Sequence, residues 1–407
     1  MAGGLQSTAE GPRRILLVGY RRDALDAAFG LGFEVSVVAE RLPSAARRAR
    51  CRVTRTAGLD RDRDWRSLAD RLDPERRLDG VVALTERAVE PAARIRQALG
   101  LPGLSTDAAT ACTDKLVMKR RIRAAGLPCT EFLGDDEGPL TAAELIGKLG
   151  LPLVLKGRRG SGSRVVRIVR RRGDLPDRLP EGWMAERWVR GVEMSLETFW
   201  ADGEALLVNP TEYTEPRWVN LVPAPVPART LGAVLELNRA AVHALGVGRG
   251  MTHLELFLTD HGPVFGEVAA RPPGGHLMEL LERVYGFDPW RAVLRLEVGQ
   301  RPELPTTPRG LAAVRVLHPG SGTVRSVRGL EAARRLPGVA RAQLRLRPGQ
   351  RVPEREGLGQ EVGHLTVIGT DRELVLERLA AASTTIHVEL DPDPPGRARP
   401  ETDSEDP

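Results

Sequence analysis

The 407-residue sequence predicts a mixed α/β and α+β protein, with a parallel sheet at its start and antiparallel strands after it. Apolar strands alternate with amphipathic helices over residues 13–98, and this alternation is typical of a parallel, Rossmann-like sheet. Past residue 305 the apolar runs become short and closely spaced, which indicates a smaller α+β unit. The length allows two or three such units with a substantial core.

The elements follow one another in a regular order. We expect strands at residues 13–19, 33–40 and 78–86, a helix from Thr113, and a strand–loop–strand over 151–169. Further strands are predicted over 184–208, a helix over 230–246, a hairpin over 253–271 and a helix over 372–382. The segment after the first strand, Gly19-Tyr20-Arg21-Arg22, is not a G-x-G-x-x-G fingerprint, so we infer no dinucleotide cofactor.

Composition and charge exclude several classes of protein. The N-terminus has no apolar signal core, and no apolar run approaches the roughly 18 residues that a membrane span needs. Three scattered cysteines (Cys51, Cys112 and Cys129) fit neither a disulfide framework nor a metal cluster, so we expect a cytoplasmic protein. The net charge of +6 is spread along the chain without a recognition motif, so no nucleic-acid partner is expected.

Lysine is rare in this chain, and its positions are informative. Only four of the 60 basic residues are lysines, at positions 115, 119, 148 and 156, and the other 56 are arginines. Lysine offers a compact ammonium charge that a planar guanidinium does not. Codon bias explains an excess of arginine but does not explain why three of the lysines lie beside the motifs described next.

A glycine-rich loop follows the strand that ends at Lys156. The sequence Gly157-Arg-Arg-Gly160-Ser161-Gly162-Ser163 would let backbone N–H groups approach phosphate oxygens, with Lys156 as the countercharge. The same sequence also fits an ordinary surface hairpin with a basic tip. The loop therefore indicates a phosphate site without establishing one.

A second group of candidates comes about thirty residues later. The backbone around Glu186, Trp188 and Val189 could bond the edge of an adenine ring, with Glu186 accepting from the amino group. Glu193 could accept hydrogen bonds from ribose hydroxyls. Taken alone, these positions favour solvated carboxylates at a strand end.

The hairpin over 253–271 carries two glutamates that the predicted register pairs. With a five-residue loop, Leu258 pairs with Val264, Phe257 with Phe265, and Glu255 with Glu267. Like charges directly opposite one another are destabilising, so a cation should lie between them. Mg²⁺ is one candidate, since it binds one or two carboxylates completed by water and phosphate oxygens. Two hydrated carboxylates on an exposed sheet face are the alternative.

Taken in order, these motifs resemble the ATP-grasp superfamily over about residues 13–390. The segment TDKLVMKRRIRAAGLPCTEF resembles the family's entry helix, and GHLTVIGTDRELVLERL is similar to the C-terminal domain of biotin carboxylases and L-amino acid ligases. The sequence departs from many members at Ala269, where they carry a metal-binding asparagine. This departure leaves the number of metals open and resembles the L-amino acid (dipeptide) ligases of the bacilysin-ligase type more than the carboxylases.

The resemblance implies a role for each candidate residue. Glu255 and Glu267 would bind Mg²⁺, with Mn²⁺ as an alternative ion, and Arg271 and Lys156 would be catalytic. Arg271 would also contact the substrate together with Gly274, Gly275 and His276, although His276 fits a simple helix start as well. The implied ATP contacts are Lys115, Lys156, Gly160, Ser161, Gly162, Ser163, Glu186, Trp188, Val189 and Glu193.

The resemblance also implies a division into units. It predicts a Rossmann-like pre-ATP-grasp domain over 13–107, an ATP-grasp domain over 108–304 with lobes at about 130–188 and 189–304, and a biotin-carboxylase-like α+β domain over 305–390. Residues 1–12 and 391–407 are expected to be disordered, the latter because the tail is rich in proline and acid.

The implied activity is a ligase that activates a carboxylate with ATP as an acyl phosphate and joins it to an amine, releasing ADP and phosphate. Its small-molecule substrates would be amino acids, in the biosynthesis of a peptide natural product such as an antibiotic. The alternatives are an ATP-grasp carboxylase or purine-pathway-type ligase, and a nucleotide-binding regulator without turnover. A homodimer is left open.

Overall fold

The computed structural model describes residues 11–59, 64–138, 140–160, 166–355, 357 and 359–392. None of the helices in this described part is long and apolar enough to cross a membrane. Most of the two ends predicted to be disordered lies outside it, as do residues 161–165 of the glycine-rich loop.

The first unit is a parallel four-stranded sheet with the strand order β3-β2-β1-β4. Its parallel pairing confirms the prediction drawn from the alternation of strands and helices. The chain runs through β1 (Arg14–Val18), α1 (Arg22–Gly30), β2 (Glu34–Ala39), α2 (Ala45–Arg48), β3 (Arg52–Arg55), α3 (Trp65–Leu72), β4 (Gly80–Ala83) and α4 (Val89–Leu99).

The second unit is a small antiparallel sheet with the order β5-β8-β6-β7. The single helix predicted from Thr113 is two helices, because Asp114 has an extended backbone and caps the second one by accepting from Leu116 and Val117. The elements are α5 (Thr106–Thr113), α6 (Lys115–Ala124), β5 (Phe132–Gly134), α7 (Ala142–Leu149), β6 (Leu153–Gly157), β7 (Val166–Val169) and β8 (Trp183–Arg187).

The third part contributes the long strands of a larger sheet and the helices that cover it. Asp202 and Gly203 both have positive φ and form the turn between β9 and β10, as the Asp-Gly pair predicts. The elements are β9 (Val192–Ala201), β10 (Glu204–Glu215), β11 (Val219–Val222), α8 (Ala228–Ala244), β12 (Gly250–Thr259), β13 (Gly262–Ala269), α9 (Leu277–Tyr285) and α10 (Pro289–Glu297).

The C-terminal part shares this larger sheet. Its elements are β14 (Leu311–Leu317), β15 (Gly322–Arg328), α11 (Leu330–Arg334), β16 (Val339–Leu344), β17 (Arg351–Val352), β18 (Gly363–Gly369), α12 (Arg372–Thr385) and β19 (His387–Asp391). The eight-stranded sheet has the order β13-β12-β9-β10-β11-β14-β18-β16, and β17-β15-β19 form a separate small sheet. The sheet therefore continues across the boundary predicted at residue 305, because β11 pairs with β14.

One apolar core joins the first unit to the larger sheet. It contains Ile15 and Leu17 of β1, Met278 and Leu281 of α9, and Leu294 of α10, all buried. This packing brings the carboxyl ends of β1 and β4 against the segment that follows β13. Residues from three sequence-distant regions therefore meet at one place.

Candidate active site

The two glutamates of the β12–β13 hairpin are paired as predicted. Glu255 lies opposite Glu267, but the register between them and the turn differs from the prediction. The hairpin closes with a two-residue turn between Thr259 and Gly262, so Phe257 pairs with Val264 instead of Phe265. A bulge next to Glu255 then restores the predicted pair.

The bulge is possible because residue 266 is glycine. A Cβ at Gly266 would lie 2.7 Å from the backbone oxygen of Glu255, which is too close for any side chain. The same irregularity places Phe265 opposite Leu256 on the buried face, where Phe265 is fully buried. Strict alternation along β13 would instead place Phe265 on the same face as Glu267.

A third carboxylate lies near this pair. Glu193 is on β9, which neighbours β12, and its register partner is Phe257. Burial, together with the nearby charges of Glu255 and Glu267, raises the pKa of Glu193 to about 7. Three neighbouring carboxylates fit a divalent cation, which takes carboxylate oxygens as ligands. Glu255 and Glu267 are the residues that would hold it.

Three of the four lysines converge on the same region. Nζ of Lys156 lies 2.8 Å from Oε1 of Glu186, and Nζ of Lys119 lies 3.5 Å from the same oxygen. Nζ of Lys115 lies 3.8 Å from Oε2 of Glu267, so the lysines connect the small sheet with the carboxylates of the larger one. The clustering inferred from lysine usage is present in three dimensions.

The charges of this buried group support one another. Burial opposes ionisation of Glu186, but the two neighbouring lysines outweigh it and lower its pKa. Burial likewise opposes the charged form of Lys156, but Glu186 and Glu267 raise its pKa. Glu186 thus contacts lysine side chains, and its predicted contact with the adenine amino group stays a prediction.

The described part of the glycine-rich loop is tied to helix α6. Lys115 donates a hydrogen bond from Nζ to the carbonyl oxygen of Gly160 at 2.8 Å, and Gly160 has a φ of +112°. Arg158 donates to both oxygens of Asp114, at 3.2 and 2.8 Å, and to Asp135 at 2.9 Å. The predicted phosphate contacts Ser161, Gly162 and Ser163 lie outside the described residues.

The predicted adenine contacts lie where the two sheets are joined. Trp188 and Val189 fall between β8 of the small sheet, which contains Glu186, and β9 of the larger one. Trp188 is exposed, and its backbone N–H donates to the carbonyl oxygen of Pro152. This segment leads to Glu193, the predicted ribose contact, near the start of β9.

Arg271 is held by a residue from the first unit. Its Nε donates to Oε2 of Glu86 at 2.8 Å, and the two side chains are both largely buried. Arg21, after β1, donates to the carbonyl oxygen of Pro273 at 2.6 Å. Asn220 of β11 fixes the following turn by donating to the carbonyl oxygen of Gly275 at 3.0 Å, while Gly274 is exposed.

His276 faces the C-terminal part of the chain. It has a φ of +60° at the start of α9, and its ring stacks on that of His364 with 3.8 Å between the centroids. Nε2 of His276 lies 3.6 Å from Oε1 of Glu361, and the neighbouring imidazole lowers the pKa of Glu361 to about 2. Donor atoms of His276, Glu279 and His364 lie within 4.8 Å of one another. The stacked rings are closer than two imidazoles on one tetrahedral ion would be.

Comparison with known proteins identifies the fold. Residues 25–103 match the ATP-grasp N-terminal domain family, and residues 315–391 match the family described as L-amino acid ligase C-terminal domain 2. The chain has the ATP-grasp fold. The predicted fold class and the resemblance to this superfamily are both confirmed.

Two proteins similar to this ATP-grasp chain are L-amino acid ligases. An L-arginine-specific L-amino acid ligase from Bacillus subtilis is 26% identical over 341 residues, 77% of this chain and 81% of that protein. A crystal structure of an L-amino acid ligase from Bacillus licheniformis superposes with a TM-score of 0.78 at 22% identity, covering 94% of this chain and 100% of that one. These similarities support the predicted enzyme class, an ATP-dependent ligase that forms C–N bonds.

A carboxylase domain shares the ATP-grasp architecture. The biotin carboxylase domain of the 2-oxoglutarate carboxylase from Hydrogenobacter thermophilus has a TM-score of 0.69 at 17% identity, covering 94% of this chain and 92% of that one. That domain was solved with MgADP and bicarbonate. ATP and magnesium are therefore supported for the fold in general.

Sequence reasoning missed several residues that hold the site of this ATP-grasp chain together. Glu86, Arg158 and His253 contact Arg271, Asp114 and Glu255 respectively. Burial alone would lower the pKa of His253, but hydrogen bonds with Glu197 and Glu255 raise it to about 9. Only His253 left a signal in the sequence, because it stands two residues before Glu255 on the same face of a strand.

Proposed function

We propose that this chain is an ATP-dependent carboxylate–amine ligase that joins an amino acid to an amine, itself an amino acid, through an amide bond. The observation that carries the proposal is the convergence of Lys115 and Lys156 on the acidic group of Glu193, Glu255 and Glu267. Ammonium groups beside a paired carboxylate site suit a triphosphate with a divalent cation.

In the proposed reaction, the substrate carboxylate attacks the γ-phosphate of ATP to form an acyl phosphate and ADP. The amine of the second substrate then attacks the acyl carbon, and phosphate leaves. Magnesium held by Glu255 and Glu267 would supply positive charge to the phosphate oxygens. The chain's own contribution is positioning and charge compensation by Lys115, Lys156 and Arg271.

The remaining roles are proposed from the position of each residue. The backbone near Trp188 and Val189 would hold adenine, Glu193 the ribose, and residues 157–163 the phosphates. The turn with Gly274, Gly275 and His276 would contact the substrate. We also propose the domain division at residues 107 and 304, with the larger sheet spanning the second boundary.

The substrate proposal extends the similarity to amino acid ligases. Since the Bacillus subtilis relative is named as specific for L-arginine, that amino acid is the first to test as a substrate here. A cytoplasmic role in making a peptide natural product, such as an antibiotic, is the setting we propose.

The test is ADP release measured with ATP and Mg²⁺ over pairs of amino acids, including L-arginine, with the products analysed by mass spectrometry. An amide product that depends on both amino acids supports the proposal. Release that requires bicarbonate would favour a carboxylase, and nucleotide binding without release under every condition would favour a regulator. Glu267→Gln should abolish amide formation, whereas normal turnover in this variant would remove Glu267 from the metal site.

A further inference from the structure

A buried network of polar side chains lies in the larger sheet behind the paired glutamates. Its centre is Glu197 of β9, which is fully buried and accepts from Ser195 at 2.8 Å, Asn209 at 3.0 Å and Thr211. Tyr285 of α9 extends the network by donating to the carbonyl oxygen of the Asn209 side chain at 3.1 Å. A carboxylate so far from water is stable only because its oxygens are hydrogen-bonded.

The network ends on His253. Nδ1 of the imidazole lies 2.8 Å from Oε1 of Glu197, and this contact fixes the orientation of the ring. Nε2 of the same ring consequently points toward Glu255, 3.4 Å from its Oε1. The hydroxyl of Tyr213 donates to this oxygen at 3.3 Å. One oxygen of Glu255 is thus held between two side chains.

Stability alone does not explain this arrangement. Replacing a buried, fully paired polar group by apolar residues of the same shape is often neutral or stabilising. The hydrogen-bonded side chains lead instead from Glu197, in the middle of the larger sheet, to Glu255, one of the two candidate metal ligands. Side chains that hydrogen-bond to a metal ligand fix the orientation of that ligand. Removing them therefore lowers the affinity for the metal.

We propose that Glu197 and His253 are positioning residues, in which Glu197 orients the imidazole and the imidazole orients the Glu255 carboxylate toward a divalent cation. This inference rests on the proposed function, because it concerns the same nucleotide–metal site. It adds two residues that the resemblance to ATP-grasp ligases did not assign here.

The test measures metal affinity rather than turnover alone. Mg²⁺ is titrated against the full chain at a fixed ADP concentration, and ADP binding is also measured without Mg²⁺. In Glu197→Gln and in His253→Asn the apparent Mg²⁺ affinity should fall about 10- to 100-fold, the range typical for such partners. Affinity for ADP without Mg²⁺ should stay within twofold of the unaltered chain.

Thr252→Val supplies a matched control. Thr252 is buried in the same strand and accepts from Nε1 of Trp200 at 2.8 Å, so its loss removes a buried hydrogen bond without touching Glu255. This variant should lose stability yet keep its Mg²⁺ affinity. A general loosening of the sheet would instead weaken Mg²⁺ binding in all three variants to a similar degree and would overturn the proposal.

The double variant tests the order in which Glu197 and His253 act on Glu255. If Glu197 acts through His253, adding Glu197→Gln to His253→Asn should change the Mg²⁺ affinity by less than twofold. Additive losses, or an unaltered affinity in either single variant, contradict the inference. If one of the two single variants fails to fold, the Mg²⁺ affinity of the other still tests the inference. Absence of any Mg²⁺-dependent ADP binding in the unaltered chain would refute the proposed function itself.

Discussion

Three of the four lysines meet one group of carboxylates, whereas the arginines are spread over the whole chain. An ammonium group is compact and can approach a single oxygen from several directions, which a planar guanidinium cannot do in the same space. At the proposed phosphate site this difference would favour lysine over arginine. The positions of the rare lysines therefore predicted the clustering of Lys115, Lys119 and Lys156 that the structure shows.

Lys156→Met should lower ATP affinity or turnover by on the order of a hundredfold, since a buried charge-assisted contact to phosphate is worth several kcal/mol. It should also reduce the free energy of unfolding, because Glu186 loses its contact at 2.8 Å and stays buried. Steady-state kinetics and chemical denaturation measure the two effects. Lys148→Met is the control, since that side chain is exposed on α7, and an equal loss in both variants would contradict the assignment.

Arg271→Lys should lower kcat by about a hundredfold while leaving ADP affinity nearly unaltered, because removing one preorganised charged donor has costs of this size. A lysine cannot keep both the Glu86 contact and the donation to Pro272 that the guanidinium makes. Separate measurement of kcat and of ADP binding checks this result. Arg239→Lys, an exposed change on α8, is the control. A normal kcat for Arg271→Lys would exclude a catalytic role.

At the scale of elements, the hairpin shows what periodicity can and cannot predict. Alternation of apolar residues gave the correct partners for Glu255, since both strands must bury one face. Alternation could not predict the bulge. Gly266 is an extra residue in β13 that shifts the strand pairing without changing which residues are apolar. The close backbone approach at Gly266 leaves no signal in one sequence except the glycine itself.

Gly266→Ala should therefore disturb both the hairpin and metal binding. The added methyl group would meet the Glu255 carbonyl oxygen, which is backbone and cannot move aside, so we expect a loss of about 1–3 kcal/mol in unfolding free energy. Mg²⁺-dependent ADP binding should weaken in the same variant, because Glu267 follows the bulge directly. Denaturation curves and ADP titrations with and without Mg²⁺ provide the measurements.

Gly232→Ala is the matched control for this substitution. Gly232 is exposed inside α8, and a Cβ there meets nothing within 4 Å. It should raise the free energy of unfolding by about 0.5–1 kcal/mol, as alanine does in helices, and leave ADP binding unaltered. If Gly266→Ala behaved in the same way, the bulge would have no part in placing Glu267.

At the scale of the whole molecule, the sequence predicted the kinds of unit but not how they join. Parallel and antiparallel regions followed from the spacing of apolar runs, because each strand type buries its residues in its own pattern. The pairing of β11 with β14, and the contact between Glu86 and Arg271, join residues far apart in the sequence. Such contacts depend on how the packed layers meet, which local patterns do not encode.

The shared sheet predicts that the C-terminal part is needed for the stability of the rest. A chain cut after residue 304 would leave the edge of β11 unpaired and would expose Val219 and Leu221, which are buried against Ala313 and Leu365. An unpaired, apolar strand edge promotes association with other chains. We therefore expect the chain 1–304 to aggregate or to unfold without a cooperative transition, as size-exclusion chromatography and thermal unfolding would show.

A chain cut after residue 392 is the control, because it keeps every element of the described part. It should elute and unfold like the full chain and bind ADP with Mg²⁺ equally well. A soluble, cooperatively folded 1–304 chain with normal ADP binding would mean that the larger sheet is two independent sheets placed side by side. The part before residue 304 would then fold independently of the C-terminal part, and β14 would pair with β11 only as a docking contact between separately folded units.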